Sequence, residues 1–256
     1  MTAKVPLLRL LVAASLLAAW QLASGRLIAE IFLSSPWLVV HRLVELAATG
    51  EIFLHLRVTV TEVVVGYVLG AIVGIGLGFP TGRSTTLSQT IEPFLMAFYS
   101  IPKMALAPLF VIWLGIGLAS KVAIVFLSVF FLTFFNTYAG VRNVSEELVS
   151  LARIMRASRG QVLTRVILPA AMPSIMLGLR MALPYGIIGA FVGEFIAANR
   201  GIGYFILFSA STFDSTGVFA GVFTLLALVV LANWALGRLE RRLVRWKPVQ
   251  ETKVAI

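Results

Sequence analysis

Long apolar runs alternate with short polar stretches along this chain. Charge-free segments cover Leu10–Gly25, Val63–Gly82, Met104–Ser120, Val122–Val141 and Ser215–Gly237. Several reach the roughly 20 residues a helix needs to cross about 30 Å of hydrocarbon. A sixth run, 176–198, starts beside Arg180 and carries Glu194. The pattern predicts an all-α integral membrane protein with six transmembrane helices, at about 7–25, 60–80, 94–116, 121–141, 176–198 and 216–238. All six belong to a single transmembrane domain over residues 1–256, since no stretch is left for a second globular domain. The segment 35–57 reads as an external amphipathic helix and turn. A first run preceded by Lys4 and Arg9 and followed by Ala23 and Ser24 also has the outline of a signal peptide; its length favours a retained span.

One polar stretch has helix grammar of its own. Ser150–Pro169 is a basic island between the fourth and fifth runs, inside a loop over 142–173. Leu148, Leu151, Ala152 and Met155 fall on one helical face. Ser158 is placed to cap a second short helix, with Gln161 at the reciprocal capping-box position. Pro169 and Pro173 are expected to end the island before the next apolar run. A structured, sticky helix pair on one side of a membrane protein is a docking element.

Charge sets the orientation. With the N-terminus inside, one side carries 14 cations: Lys4, Arg9, Arg83, five arginines of the 142–165 loop and six residues of the C-terminal tail. The other side carries five: Arg26, Arg42, Arg57, Lys121 and Arg200. The asymmetry places both termini and the island in the cytoplasm. The net charge of +10 is therefore mostly a topology signal, and nucleic acid is not an expected partner because no basic patch sits on a soluble fold.

Two spans carry small residues in register. Gly66, Gly70, Gly74 and Gly78 recur at four-residue spacing, and the fifth span repeats the device with Gly178, Ala182, Gly186 and Ala190. Such faces let helix backbones approach closely in lipid, where packing and hydrogen bonds drive association. They serve either fixed packing or a face that slides during a conformational cycle. The third span is irregular, interrupted by Pro93, Pro102 and Pro108, with Lys103 beside Pro102. A broken helix at membrane depth is tolerated beside protein or water, and an ionisable group there is a functional candidate. Two readings stay open for Lys103: it lines a pathway with Ser100 and Met104, or it snorkels to the headgroups. Glu194 either nears the outer end of that pathway or reaches the outer interface. Glu62 is expected at the interface.

Enzyme chemistry is thin. The only histidines, His41 and His55, show no metal-ligand spacing, and the chain has no cysteine, so no metal site is expected. Neither a Gly-x-Ser-x-Gly elbow nor a phosphate-binding Gly-x-x-x-x-Gly-Lys-Ser/Thr loop occurs, so no catalytic residue is assigned and nucleotide hydrolysis by that route is excluded.

The island resembles the coupling loop of binding-protein-dependent ABC importer permeases, whose pattern runs Glu-Ala-Ala, three residues, Gly, then about nine residues to Ile-x-Leu-Pro. The chain over about 34–246 is similar to the nitrate/sulfonate/taurine subfamily, through stretches such as SPWLVVHRLVEL, IPKMALAPLFVIWLGIGLASK, VILPAAMPSIMLGLRMAL, VGEFI and GIGYFI. Two departures stand out: Ser150-Leu151-Ala152 replaces Glu-Ala-Ala, and Arg156 replaces Gly. Glu146 and Glu147 lie a turn upstream, and Ala157-Ser158 adjoin the turn.

The resemblance implies a transport mechanism in the bacterial inner membrane. Two permease copies form the substrate pathway across the lipid bilayer. Two separate ATPase subunits, which hold the ATP and Mg, each receive one coupling loop through Leu151, Ala152, Arg153, Met155, Arg156, Ala157, Ser158 and Arg159. An external binding protein delivers the substrate, and nucleotide-driven closure switches access between the two sides. The subfamily implies a small anion such as a sulfonate, taurine or nitrate, with a thiamine-precursor pyrimidine as the alternative. This chain itself needs no cofactor and does no covalent chemistry. An ATP-independent channel would share the apolar spans without needing a docking island. A membrane hydrolase would need a convergent nucleophile and base, which the sequence does not supply.

Overall fold

The computed structural model describes residues 4–243, and among them the chain is helical, with no β-strand. In order come α1 (Lys4–Ala23), α2 (Pro36–Ala48), α3 (Glu51–Arg83), α4 (Thr85–Ser100), a 3₁₀ turn (Lys103–Leu106) and α5 (Ala107–Leu114). There follow α6 (Leu118–Arg142), α7 (Glu146–Ile154), α8 (Arg159–Val162), a π-turn (Leu163–Ile167), α9 (Leu168–Ile196), α10 (Ile202–Ser211) and α11 (Ser215–Leu243). Five helical stretches are long and apolar enough to cross a membrane, and the broken pair α4 with α5 makes a sixth when taken as one span. The fold is thus an all-α membrane protein. Of the cations counted in the C-terminal tail, Arg245, Lys247 and Lys253 lie outside the described residues.

Several boundaries differ from the sequence reading, each for a local reason. The 35–57 segment is two elements: Ser35 caps α2, its side chain accepting from the Leu38 amide at 3.3 Å, and Gly50, at φ 79°, turns the chain into α3. Residues 51–57 therefore belong to the second span. The third span is bent by 78° at Ile101-Pro102. Pro102 cannot donate into a continuing helix, while Pro108 sits in the first turn of α5, where a missing donor costs little. Pro169 and Pro173 do not end the island. Helix continues from Arg159 to Ile196, because Pro169 falls in the first turn of α9, behind the π-turn, and a span tolerates Pro173 in its interior.

The contacts sort into two units. The first comprises the described residues up to Thr61 together with Phe191–Ala227. Its core is Leu46, Ile52, Ile202, Phe205, Ile206 and Ala220. Trp20 packs on Phe219 and Phe223, with centroids 5.2 and 5.9 Å away, and its indole N–H donates to the Ser34 carbonyl at 2.6 Å.

The second unit comprises Glu62–Ala190 and the described residues from Leu228. Its spine is α6, where Ile124, Val125, Val129, Phe131 and Phe134 are buried. The glycines of α3 face this helix. A Cβ at Gly66, Gly70, Gly74, Gly78 or Gly82 would come 2.7–2.9 Å from the carbonyl oxygens of Val122, Phe126, Phe130, Phe134 and Tyr138, in that order. Each step along α3 meets the carbonyl four residues further along α6, so the two backbones lie in contact over more than four turns. Gly82 extends the stripe beyond the four glycines of the sequence reading, and Gly76, with nothing within 4 Å, lies off it. On α9, Gly178 meets Asn136 and Gly186 meets Val129, while Ala182 and Ala190 are fully buried.

Candidate functional site

The basic island is held by caps at both ends of α7 and at the start of α8. Ser145 opens α7, its hydroxyl accepting from the Glu147 amide at 3.2 Å. The C-terminus closes in a Schellman motif: the Ala157 amide donates to Ala152 O at 3.0 Å and the Arg156 amide to Arg153 O at 2.9 Å. That motif requires a left-handed residue, and Arg156 supplies it at φ 57°. The family's glycine at this position is thereby explained in backbone terms, since only glycine adopts such a φ without steric cost. Ser158 then starts α8 with a complete capping box: its hydroxyl accepts from the Gln161 amide at 3.3 Å, and its own amide donates to Gln161 Oε1 at 2.8 Å.

These caps fix which side chains face out. Val149, Val162 and Ile167 are buried, with Ala152 and Ala157 packed against them. Outside, Leu148, Leu151, Ile154 and Met155 stand 51, 55, 79 and 75% exposed, a contiguous apolar edge on a helix less than three turns long. Arg153, Arg156, Ser158 and Arg159 are also exposed. Of the docking residues read from the sequence, the structure brings Leu151 and Met155 to this edge and turns Ala152 and Ala157 toward the island's own core. Ile154 was missed because the face was drawn through Ala152, which packs with Val149 on the buried side of α7.

A second candidate lies at the break in the third span. Tyr99, Pro102, Lys103, Met104, Ser128, Leu132 and Tyr185 line a cavity of about 270 Å³. Lys103 Nζ donates to the Tyr99 carbonyl at 3.1 Å, freed by the break, and lies 4.0 Å from the centroid of the Tyr99 ring. The Phe131 ring is 5.2 Å away. Carbonyl and π-faces thus stabilise the ammonium at this break. Lys103 and Met104 share this cavity; Ser100 is exposed, its hydroxyl bound to Met96 O at 2.9 Å.

Glu194 has a different setting, in the first unit. It is fully buried, and its carboxylate accepts from the Thr59 hydroxyl at 2.6 Å and from the Gly203 amide at 2.6 Å. Thr59 Oγ1 accepts from the Ile202 amide at 2.9 Å, and His55 Nδ1 from the Gly201 amide at 3.1 Å. Three side chains of α3 and α9 therefore capture three consecutive amides at the start of α10, with a carboxylate at the positive end of that helix. A Cβ at Gly201 would collide with the Glu194 carboxyl group, so that loop admits only glycine. Glu62 is buried within the protein. Among the described residues no group of His, Asp and Glu is arranged to hold a metal ion.

Comparison with known proteins agrees with this architecture. The taurine transport system permease protein TauC of Escherichia coli is 32% identical over 232 residues, covering 89% of this chain and 84% of its own. The formylaminopyrimidine transport permease protein ThiX of Halalkalibacterium halodurans is 35% identical over 235 residues, covering 92% and 94%. The inward-facing MetNI methionine ABC transporter shares the fold, with a TM-score of 0.59 over 81% of this chain and 97% of that chain, at 22% identity. These relatives are permease subunits, not enzymes. A family model of binding-protein-dependent transport system inner membrane components matches residues 66–245. With five or six membrane-crossing helices, a capped helical island and relatives matched along most of its length, the chain belongs to that family, the multi-pass inner-membrane permeases of ABC transporters.

Proposed function

We propose that two copies of this chain form the substrate pathway of an ATP-driven importer of a small anion, with both termini and the island in the cytoplasm. Two ATPase subunits dock on the islands, and an external binding protein delivers the substrate. The observation that carries this reading is the apolar edge of Leu148, Leu151, Ile154 and Met155. A short helix fixed by caps and presenting four exposed apolar side chains fits a groove of a partner protein. Arg153, Arg156, Ser158 and Arg159 flank the edge, while Ala152 and Ala157 support it from beneath.

The taurine-transporting relative and Lys103 favour a sulfonate-class anion. An ammonium in a cavity of low dielectric attracts an anion more strongly than it would in water. Met104 and Ser100 adjoin the same break. Glu194 enters as the anchor of the outer loop that starts α10. A pyrimidine is the second reading, supported by the formylaminopyrimidine-transporting relative and by Tyr99 and Tyr185, whose rings could stack on a flat heterocycle.

The test is uptake into proteoliposomes holding the permease, its ATPase and its binding protein. ATP-dependent accumulation of taurine, lost in Lys103→Met with ATPase assembly intact, supports the anion reading. Accumulation of formylaminopyrimidine instead, indifferent to Lys103→Met, supports the second. Uptake without ATP would overturn the importer. Cysteines at 103 and 104 that react with aqueous thiol reagents in a nucleotide-dependent way would support the pathway; unreactive ones would move it elsewhere.

A further inference from the structure

Behind the docking edge, on the rear of the island, lie two adjoining cavities of about 440 and 670 Å³. Both fall in the size range of small-ligand sites, about 300–1,000 Å³. Arg83 and Arg153 line both, together with Ile167. Arg142 adds to the first and Arg159 to the second, so four guanidinium groups face one carboxylate, that of Glu146. Among the described residues, none of the four arginines forms an ion pair. Arg142 is nevertheless held in place: its Nη1 donates to Ser88 Oγ at 2.8 Å and to the Tyr138 hydroxyl at 2.7 Å. The remaining walls mix the hydroxyl side chains of Thr85 and Ser150 with apolar Val144, Val149, Val162 and Leu163. The π-turn Leu163–Ile167 borders the second cavity, and such turns recur at functional sites.

Glu146 in the first cavity, and Glu92 reached from Arg142 only through the Ser88 and Tyr138 hydroxyls, leave the four arginines in excess, and the arrangement is stabilised when an anion enters. Guanidinium forks suit a tetrahedral oxyanion, and phosphate oxygens accept two parallel bonds from one fork. Basic pockets between helix ends at the cytoplasmic face of a membrane recruit phosphodiester headgroups. We propose that the paired cavities bind a phosphate-class anion through Arg83, Arg142, Arg153 and Arg159. It ties the island to the span ends that carry Gly82, Arg83 and Arg142. The phosphate comes from an acidic phospholipid headgroup or from free phosphate in solution. The site shares Arg153 and Arg159 with the flanks of the docking edge, whereas Arg83 and Arg142 belong to it alone, so Arg83 tests it apart from the ATPase-docking reading.

The experiment takes the purified full-length permease in nanodiscs. One arm uses equal parts phosphatidylcholine and phosphatidylglycerol, with retained lipid read by native mass spectrometry. The other uses phosphatidylcholine alone, titrated with inorganic phosphate. Arg83→Gln is the main variant because Arg83 is exposed and carries no fold-holding bond; Arg83→Lys is the conservative one. Arg165→Gln, on the same island but lining neither cavity, is the control. Retention of phosphatidylglycerol, falling about tenfold in Arg83→Gln, partly restored in Arg83→Lys and unchanged in Arg165→Gln, establishes the lipid source. Phosphate binding in phosphatidylcholine nanodiscs with the same variant pattern establishes the free anion. Binding that falls equally in Arg83→Gln and Arg165→Gln marks an unspecific basic surface and overturns the proposal. Absence of binding in both arms overturns it too, as does a zero-length carboxylate–amine cross-link between the ATPase and Arg83→Lys, because the arginines would then serve a protein partner.

Discussion

The α3–α6 pair and the α7–α8 island keep their shapes by opposite means. Along α3 and α6 the backbones touch over more than four turns, and the fit rests on the absence of side chains at Gly66, Gly70, Gly74, Gly78 and Gly82. Few polar ties cross this seam; one is the Thr133 hydroxyl to Gly70 O at 3.3 Å. The island has helices of nine and four residues, too short to be stable alone, and a core of a few small apolar side chains. Its order comes from hydrogen-bonded caps: Ser145, the Schellman turn through Arg156, and the Ser158–Gln161 box. In hydrocarbon, shape suffices because water does not compete for the backbone. At the aqueous face each helix end must be satisfied individually.

The comparison breaks most visibly at the seam. Gly74→Val should cost about 3 kcal/mol or more, since the new Cβ meets Thr133 and, at 2.8 Å, Phe130 O. A lower melting temperature and loss of a monodisperse peak in detergent would register it. Gly76→Ala on the same helix meets nothing within 4 Å and should stay within about 0.5 kcal/mol. If both variants behave alike, the seam does not hold the helices.

Next in size is the island's edge. Ile154→Asp leaves the caps and the core untouched, so the melting temperature should not move. ATP-driven uptake should fall about thirtyfold, the effect of losing a hot-spot contact of about 2 kcal/mol. Unchanged uptake would remove Ile154 from the docking surface. Smaller again is Ser158→Ala, which should lower stability by about 1 kcal/mol through the lost cap, measured by chemical denaturation of the purified chain. The smallest effect has the opposite sign. Arg156→Gly should relieve the left-handed backbone and raise stability by about 0.5–1 kcal/mol. A fall instead would mean that the guanidinium holds the turn through a contact stronger than the strain.

Much of this was legible in the sequence because it is periodic or local. Glycines four apart, a serine three residues before a glutamine and an apolar run of 20 residues are patterns that water and lipid read as a sequence analyst does. Pro169 and Pro173 misled because proline as a terminator is a rule for isolated helices. Behind a π-turn, inside a long apolar span, the helix continued. Ile154 and Ala152 exchanged places because the face that turns inward is decided by what Val149 and Ala152 pack against, Val162 and Ile167 across the island, which the local sequence does not announce. Glu194 could not have been resolved: its partner Thr59 lies 135 residues away, and nothing local to VGEFI announces that contact.

The uninterrupted course from α8 into α9 has a mechanical meaning. From Arg159 to Ala190, all within the second unit, the chain forms one rod about 48 Å long. A tilt of 10° applied at Arg159 displaces the far end by about 8 Å, set by that length alone. The π-turn and Pro173 give the rod compliance near its handle, and Pro184 gives it some farther on, so the load decides how much of the stroke arrives as rotation and how much as bending.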